Sequence, residues 1–68
     1  MDMSERFLNF KAALAKKEWT HEELAKEIGI TKQAVTSFVG TLKKGGTPQA
    51  ATAMKYAKAL GIDVKELL

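Results

Sequence analysis

A chain of 68 residues predicts one small domain, 1–68, of a size that buries only roughly 60% of the surface its unfolded form exposes. With 46% hydrophobic and 28% charged residues it has material for one core and lacks the polar bias of a disordered chain, and without cysteine it excludes disulfides and thiolate metal sites. The net charge of +3 is unevenly spread: residues 1–27 hold five bases and six acids, 28–62 hold Lys32, Lys43, Lys44, Lys55 and Lys58 with no acid, and 63–68 hold one base and two acids.

Met3, Phe7, Phe10 and Leu14 recur at steps of 4, 3 and 4, the spacing of one helix face, so a first helix is expected over residues 4–17 with that stripe in the core. In WTHEEL, Thr20 suits an N-cap with Glu23 as its capping-box partner, and Trp19 and Leu24 suit the two places of a hydrophobic staple. A second helix then runs from His21 to Ile28 and closes at Gly29. Thr31 is again a good N-cap, with Ile30 and Val35 as its staple pair, so a third helix is expected over Lys32–Val39, stopping at Gly40. The two helices are joined by about three residues containing a glycine and must turn sharply.

TLKKGGT reads as a loop with a flexible Gly45-Gly46 pair. Thr47 as N-cap and Pro48 at the first helical position open a fourth, alanine-rich helix that runs to Leu60 and stops at Gly61. Asp63 with Glu66 forms a further capping box, with Ile62 and Leu67 as staple, for a short fifth helix. The expected fold is all-α: five helices and no strand.

A helix, a short turn and a second helix can be a plain hairpin, so the outer face of the third helix carries the functional reading. With Val35 pointing inward and 100° per residue, Thr31, Phe38 and Val39 fall within about 60° of it, whereas Gln33, Ser37 and Gly40 point away, flanked by Thr36, and Lys32 lies between. An amide, hydroxyls and a lysine without any carboxylate suit base edges in DNA: Gln pairs with adenine N6 and N7, Lys reaches guanine O6 and N7, and Ser or Thr serves either. The first N–H groups of the second helix (Thr20, His21) and of the fourth (Thr47, Gln49) are candidate phosphate grips, joined by Lys43 and Lys44.

HEELAKEIGITKQAVTSFVG resembles the helix-turn-helix of the lambdoid phage repressor and Cro-like, or Xre, family, and AMKYAKALGIDVKELL resembles its later helices, so the likeness covers about residues 7–68. Ala25, Gly29, Ile30, Val35 and Phe38 match its packing positions. The resemblance implies a compact five-helix repressor-like DNA-binding domain whose helix-turn-helix spans residues 20–40. Lys32, Gln33 and Ser37 then match base-reading positions, with Thr36 a lesser candidate, while Thr31 and His21 match phosphate-contacting or orienting positions. It also implies double-stranded DNA as partner and a homodimer on a two-fold symmetric operator, in a transcriptional regulator, here a phage or bacterial repressor. Antitoxins and restriction-modification controllers belong to the same class. Two features depart from the family: Leu14 and Val39 stand where many members carry a buried Arg–Glu pair, and the segment from Gly40 to Pro48 is several residues longer.

Other features have plainer readings. His21 is the only histidine and suits a capping or solvated role as well as a phosphate; Lys55 and Lys58 suit solvated helix faces, and Trp19 a staple. No phosphate-binding glycine motif and no Ser/His/Asp set is present, so no enzyme, cofactor, metal or small-molecule substrate is expected. No run approaches a membrane span of about 18 apolar residues, and MDMSERF carries an acid where a secretory signal carries bases, so a cytoplasmic location without membrane contact is expected. The rival from another class is a helical protein-interaction module in which GIDVKELL offers an apolar patch. The ending on Leu67 and Leu68 fits a dimer interface or a further domain beyond it.

Overall fold

The computed structural model describes residues 5–68; Met3, expected in the first apolar stripe, and the expected helix start at residue 4 lie outside them. Among the described residues there are four α-helices, a single 3-10 turn and no strand: α1 (Glu5–Lys17), α2 (His21–Ile28), α3 (Lys32–Lys43), α4 (Ala50–Leu60) and the 3-10 turn Val64–Leu67. The expected fifth helix is only that turn. The Asp63 carboxylate accepts from Lys65 N–H at 2.9 Å, and Glu66 N–H bonds the Asp63 carbonyl instead, so the expected capping box is replaced by the tighter three-residue spacing of a 3-10 turn.

Helix starts elsewhere follow local chemistry. At α2 both halves of the capping box form, Glu23 N–H to Thr20 Oγ1 at 3.1 Å and Thr20 N–H to Glu23 Oε1 at 2.8 Å. Thr31 caps α3 by accepting from Ala34 N–H at 3.1 Å. The start of α4 differs from expectation, because Gln49, not Thr47, is its N-cap, and it makes no side-chain cap bond. Pro48 is buried just before that cap, so it stands ahead of the helix rather than at its first position. Thr47 Oγ1 instead accepts from Arg6 Nη2 at 3.1 Å.

The third helix is one turn longer than the sequence pattern suggests: it passes through Gly40 and ends at Lys43. A mid-helix glycine costs about 1 kcal/mol relative to alanine. The extension places Leu42 at 0% exposure, and fully burying a leucine is worth about 1.5–3 kcal/mol, so burial wins. The Gly45-Gly46 pair, expected to be flexible, is the closing device of this helix. Gly45 stands at φ 80°, its N–H bonds Leu42 O at 3.0 Å, and Gly46 N–H reaches back to Thr41 O at 2.9 Å.

One core gathers these helices. Phe7, Phe10, Ala13 and Leu14 of α1 meet Leu24 and Ala25 of α2, Val35, Phe38 and Leu42 of α3, Ala53, Tyr56, Ala57 and Leu60 of α4, and Leu67 of the 3-10 turn. Leu14 is buried and Val39 packs against the same cluster, so an apolar environment occupies the place of an ion pair, an exchange that is often neutral or stabilising. No charged side chain is buried among the described residues, and the hydroxyl of buried Tyr56 donates to Ala34 O at 3.5 Å. Polar ties close the far side of α1: Asn9 Nδ2 donates to Glu66 O at 3.0 Å and Arg6 Nε to Leu68 O at 2.9 Å.

Two glycines give opposite expectations for the same substitution. A Cβ added at Gly40, inside α3, meets nothing within 4 Å, so Gly40→Ala should stabilise the protein by about 0.5–1 kcal/mol through helix propensity. Gly29 stands at φ 87°, so Gly29→Ala should destabilise by about 1–2 kcal/mol. Urea unfolding with an unchanged slope reads both signs from the midpoint.

Candidate nucleic-acid interface

The candidate surface is built around α3, and α2 supplies its first support. Gly29 ends α2 in the left-handed conformation, with its N–H bonded to Ala25 O at 2.8 Å, and Ile30 N–H reaches the same carbonyl at 2.9 Å. Ile30 turns into the core and Thr31 at once caps the next helix. The chain therefore changes direction within three residues, with α2 packed against α3.

Lys32, Gln33, Thr36 and Ser37 are all exposed on α3, beside exposed Ala34 and Thr41. No acid stands in its first turn. Thr31 is exposed, but its hydroxyl serves the cap. The outer arc has two edges. Towards α4, Ala34, Ser37 and Thr41 face Gln49, Thr52 and Lys55 across a groove of about 340 Å³ whose lining includes Phe38 and Tyr56. At the opposite edge Lys43 lies with its ammonium 5.8 Å from the centre of the Phe7 ring on α1. The structure thus brings Ser37 and Gln49 into one groove and sends Lys43 to the other flank; Lys44 is exposed at the C-cap of α3.

The helix starts are not equivalent as anion sites. At α2, Thr20 uses both its hydroxyl and its N–H on Glu23, and Glu22 and Glu23 stand in the first turn, so carboxylates already occupy the positive end of the dipole. His21, half-buried, is the first residue of that helix. At α4 the first turn carries no acid and the exposed Gln49 side chain is not spent on the cap, which leaves that positive end uncompensated. Thr47 lies just before it, tied to Arg6.

Tyr56, which the sequence reading passes over, joins the expected core residues Phe10 and Phe38 in holding this surface in place. Tyr56 stacks on Phe38 with ring centres 3.8 Å apart and planes 7° from parallel, and Phe10 meets the Phe38 ring edge-on at 5.7 Å. Each such aromatic pair adds about 0.5–1.5 kcal/mol beyond the area it buries. Two signals were present in the sequence. Val35, Phe38, Val39 and Leu42 continue the helical step across Gly40, and Ala53, Tyr56, Ala57 and Leu60 repeat it in α4. Thr52 and Lys55, which line the groove, carry no such mark.

A helix-turn-helix family matches residues 10–67, most of the chain. The protein belongs to the family of Xre, Cro and lambda repressor-like helix-turn-helix proteins. It is a DNA-binding regulator of transcription by that membership, in a family of regulators rather than enzymes. Comparison with curated proteins and with solved structures gives no match. Among the described residues, no helix is long and apolar enough to cross a membrane.

Burial raises the Tyr56 phenol above its ordinary value of 10.0. A raised pKa means that the folded state holds this proton more tightly than the unfolded chain. The stability it contributes is complete below pH 10 and is lost as pH rises from there through the folded value. Tyr56 is the only tyrosine, so its phenolate absorbance should titrate later in the folded protein than in urea. Tyr56→Phe should remove that part of the alkaline loss of stability.

Proposed function

We propose that α2 and α3 form the DNA-reading helix-turn-helix, residues 20–40, and that α3 enters the major groove of double-stranded DNA. The observation that carries this reading is the outer face of α3: exposed Lys32, Gln33, Thr36 and Ser37, with no acid from Ile28 to Ile62. These four residues read base edges, and each good bidentate pair discriminates by about 1–3 kcal/mol. The start of α4, with Gln49, grips phosphate through its uncompensated helix end. Thr47 sets the approach to that end, while Lys43 and Lys44 add charge. At α2 the phosphate contact falls to His21, and Thr20 and Thr31 act by fixing the starts of their helices.

The protein acts in the cytoplasm as a phage or bacterial repressor, a homodimer on a two-fold symmetric operator that occludes a promoter. An apolar groove of about 510 Å³ supports an interface between copies: exposed Met54 lines it with half-buried Ile62 and Val64. The same groove favours the rival reading, a protein-interaction module. Selection from a random DNA pool, with sedimentation of the free protein, separates the two. A two-fold symmetric selected site is expected, bound with steep salt dependence; weak binding without preference would favour the rival.

Gln33→Ala combined with Ser37→Ala should cost at least ten-fold in affinity for the selected site, about the loss of one base contact, and leave random DNA nearly unaffected. Unchanged preference at fixed salt would overturn the assignment of α3 as reader. Titration by fluorescence anisotropy measures both.

A further inference from the structure

The extra turn of α3 delivers Lys43 to α1, where a second lysine already waits. Lys11 Nζ lies 5.7 Å from the centre of the Phe7 ring and Lys43 Nζ lies 5.8 Å from the same centre. Two like charges thus gather at one buried ring, although each repels the other. The negative face of the ring offsets part of that repulsion. Neither lysine has an acid three or four residues away in its own helix: the neighbours at those steps are Phe7, Leu8, Leu14 and Ala15 for Lys11, and Val39 and Gly40 for Lys43. Both side chains are exposed.

Their place on the helix surface matters as much as their charge. On α3, Lys32, Thr36 and Lys43 fall within about 40° of one another, along the edge opposite the groove that faces α4. A helix lying in the major groove has a phosphate backbone on either side. The α4 edge offers Gln49 and the helix start to one of these. The opposite edge offers Lys43, and beside it Lys11.

We propose that Lys11 and Lys43, gathered at Phe7, bind backbone phosphates of DNA, so that α1 takes part in DNA binding and the footprint extends beyond the helix-turn-helix. This rests on α3 being the reading helix. Phe7 serves as the shared platform that both ammonium groups approach to within 6 Å of its centre.

The test compares wild type with Lys11→Ala, Lys43→Ala, the double variant and Lys11→Arg, on selected and on random duplexes over a salt series. Lys16→Ala, about 140° away around α1, is the control. Lys11→Ala should weaken both duplexes by about the same factor and lower the salt slope by about one, so that its deficit shrinks about three-fold between 50 and 200 mM salt. The double variant should lose about two units of slope, Lys11→Arg should restore the wild-type value, and Lys16→Ala should change neither quantity. A wild-type slope in Lys11→Ala, or an equal loss in Lys16→Ala, would overturn the proposal. Gln33→Ala with Ser37→Ala keeps the two readings apart. If that pair abolishes sequence preference while Lys11→Ala keeps the full slope, α3 is the reader and the site at Phe7 is wrong; wild-type protein that binds no duplex in a salt-dependent way overturns both.

Discussion

Three corners of this protein turn on the same local device, in which one apolar residue both closes a helix and opens the next element. A left-handed residue ends the helix, the following N–H reaches back five residues to a carbonyl, and the side chain of that following residue packs on the core. Trp19 does this after Glu18, Ile30 after Gly29 and Ile62 after Gly61, with bonds to Leu14, Ala25 and Ala57 of 3.3, 2.9 and 3.0 Å. The next residue in each case, Thr20, Thr31 or Asp63, caps what comes after. The otherwise orphaned backbone groups of two elements are satisfied within a few residues, and the apolar contact fixes the angle between them. At the first corner a non-glycine, Glu18 at φ 59°, holds the left-handed place, a conformation that costs about 1–2 kcal/mol.

Those corners orient short helices that would be marginal alone, and side-chain packing then locks them. The ring stack of Phe38 and Tyr56, with Phe10 against it, ties α3 to both α4 and α1. Because α3 is anchored through Val35, Phe38 and Leu42 on one side, its opposite side is left free along its whole length. Rigid support beneath and polar, uncharged or cationic groups above are what base reading requires.

Electrostatics follow the same division. Acids are kept to the first 27 residues and the last six, where they cap α2 and the final turn, and the continuous stretch between them carries no carboxylate that would repel a polyanion. Acids at the start of α2 compensate its dipole, whereas α4 begins without any, so two helix ends that look alike as phosphate sites differ in field.

The starts of α2 and α3, the corner at Gly29 and the exposed face of α3 were legible in the sequence, because capping, left-handed turns and helical periodicity depend on residues within about seven positions of one another. The family could likewise be read from HEELAKEIGITKQAVTSFVG. Gly40 and the Gly-Gly pair misled, because local propensity argued for an early end to α3 while the benefit of continuing lay in burying Leu42 against distant helices. Thr47 was misplaced for the same reason: its partner, Arg6, is 41 residues away. The gathering of Lys11 and Lys43 at Phe7, the stack of Tyr56 on Phe38 and the groove that joins Ser37 to Gln49 each unite separate helices. The sequence by itself determined where α2 and α3 begin, how the chain turns between them and which face of α3 stays polar; only the tertiary structure decided where α4 begins, how far α3 extends and which side chains meet across helices, since those outcomes are set by shared burial and not by neighbours along the chain.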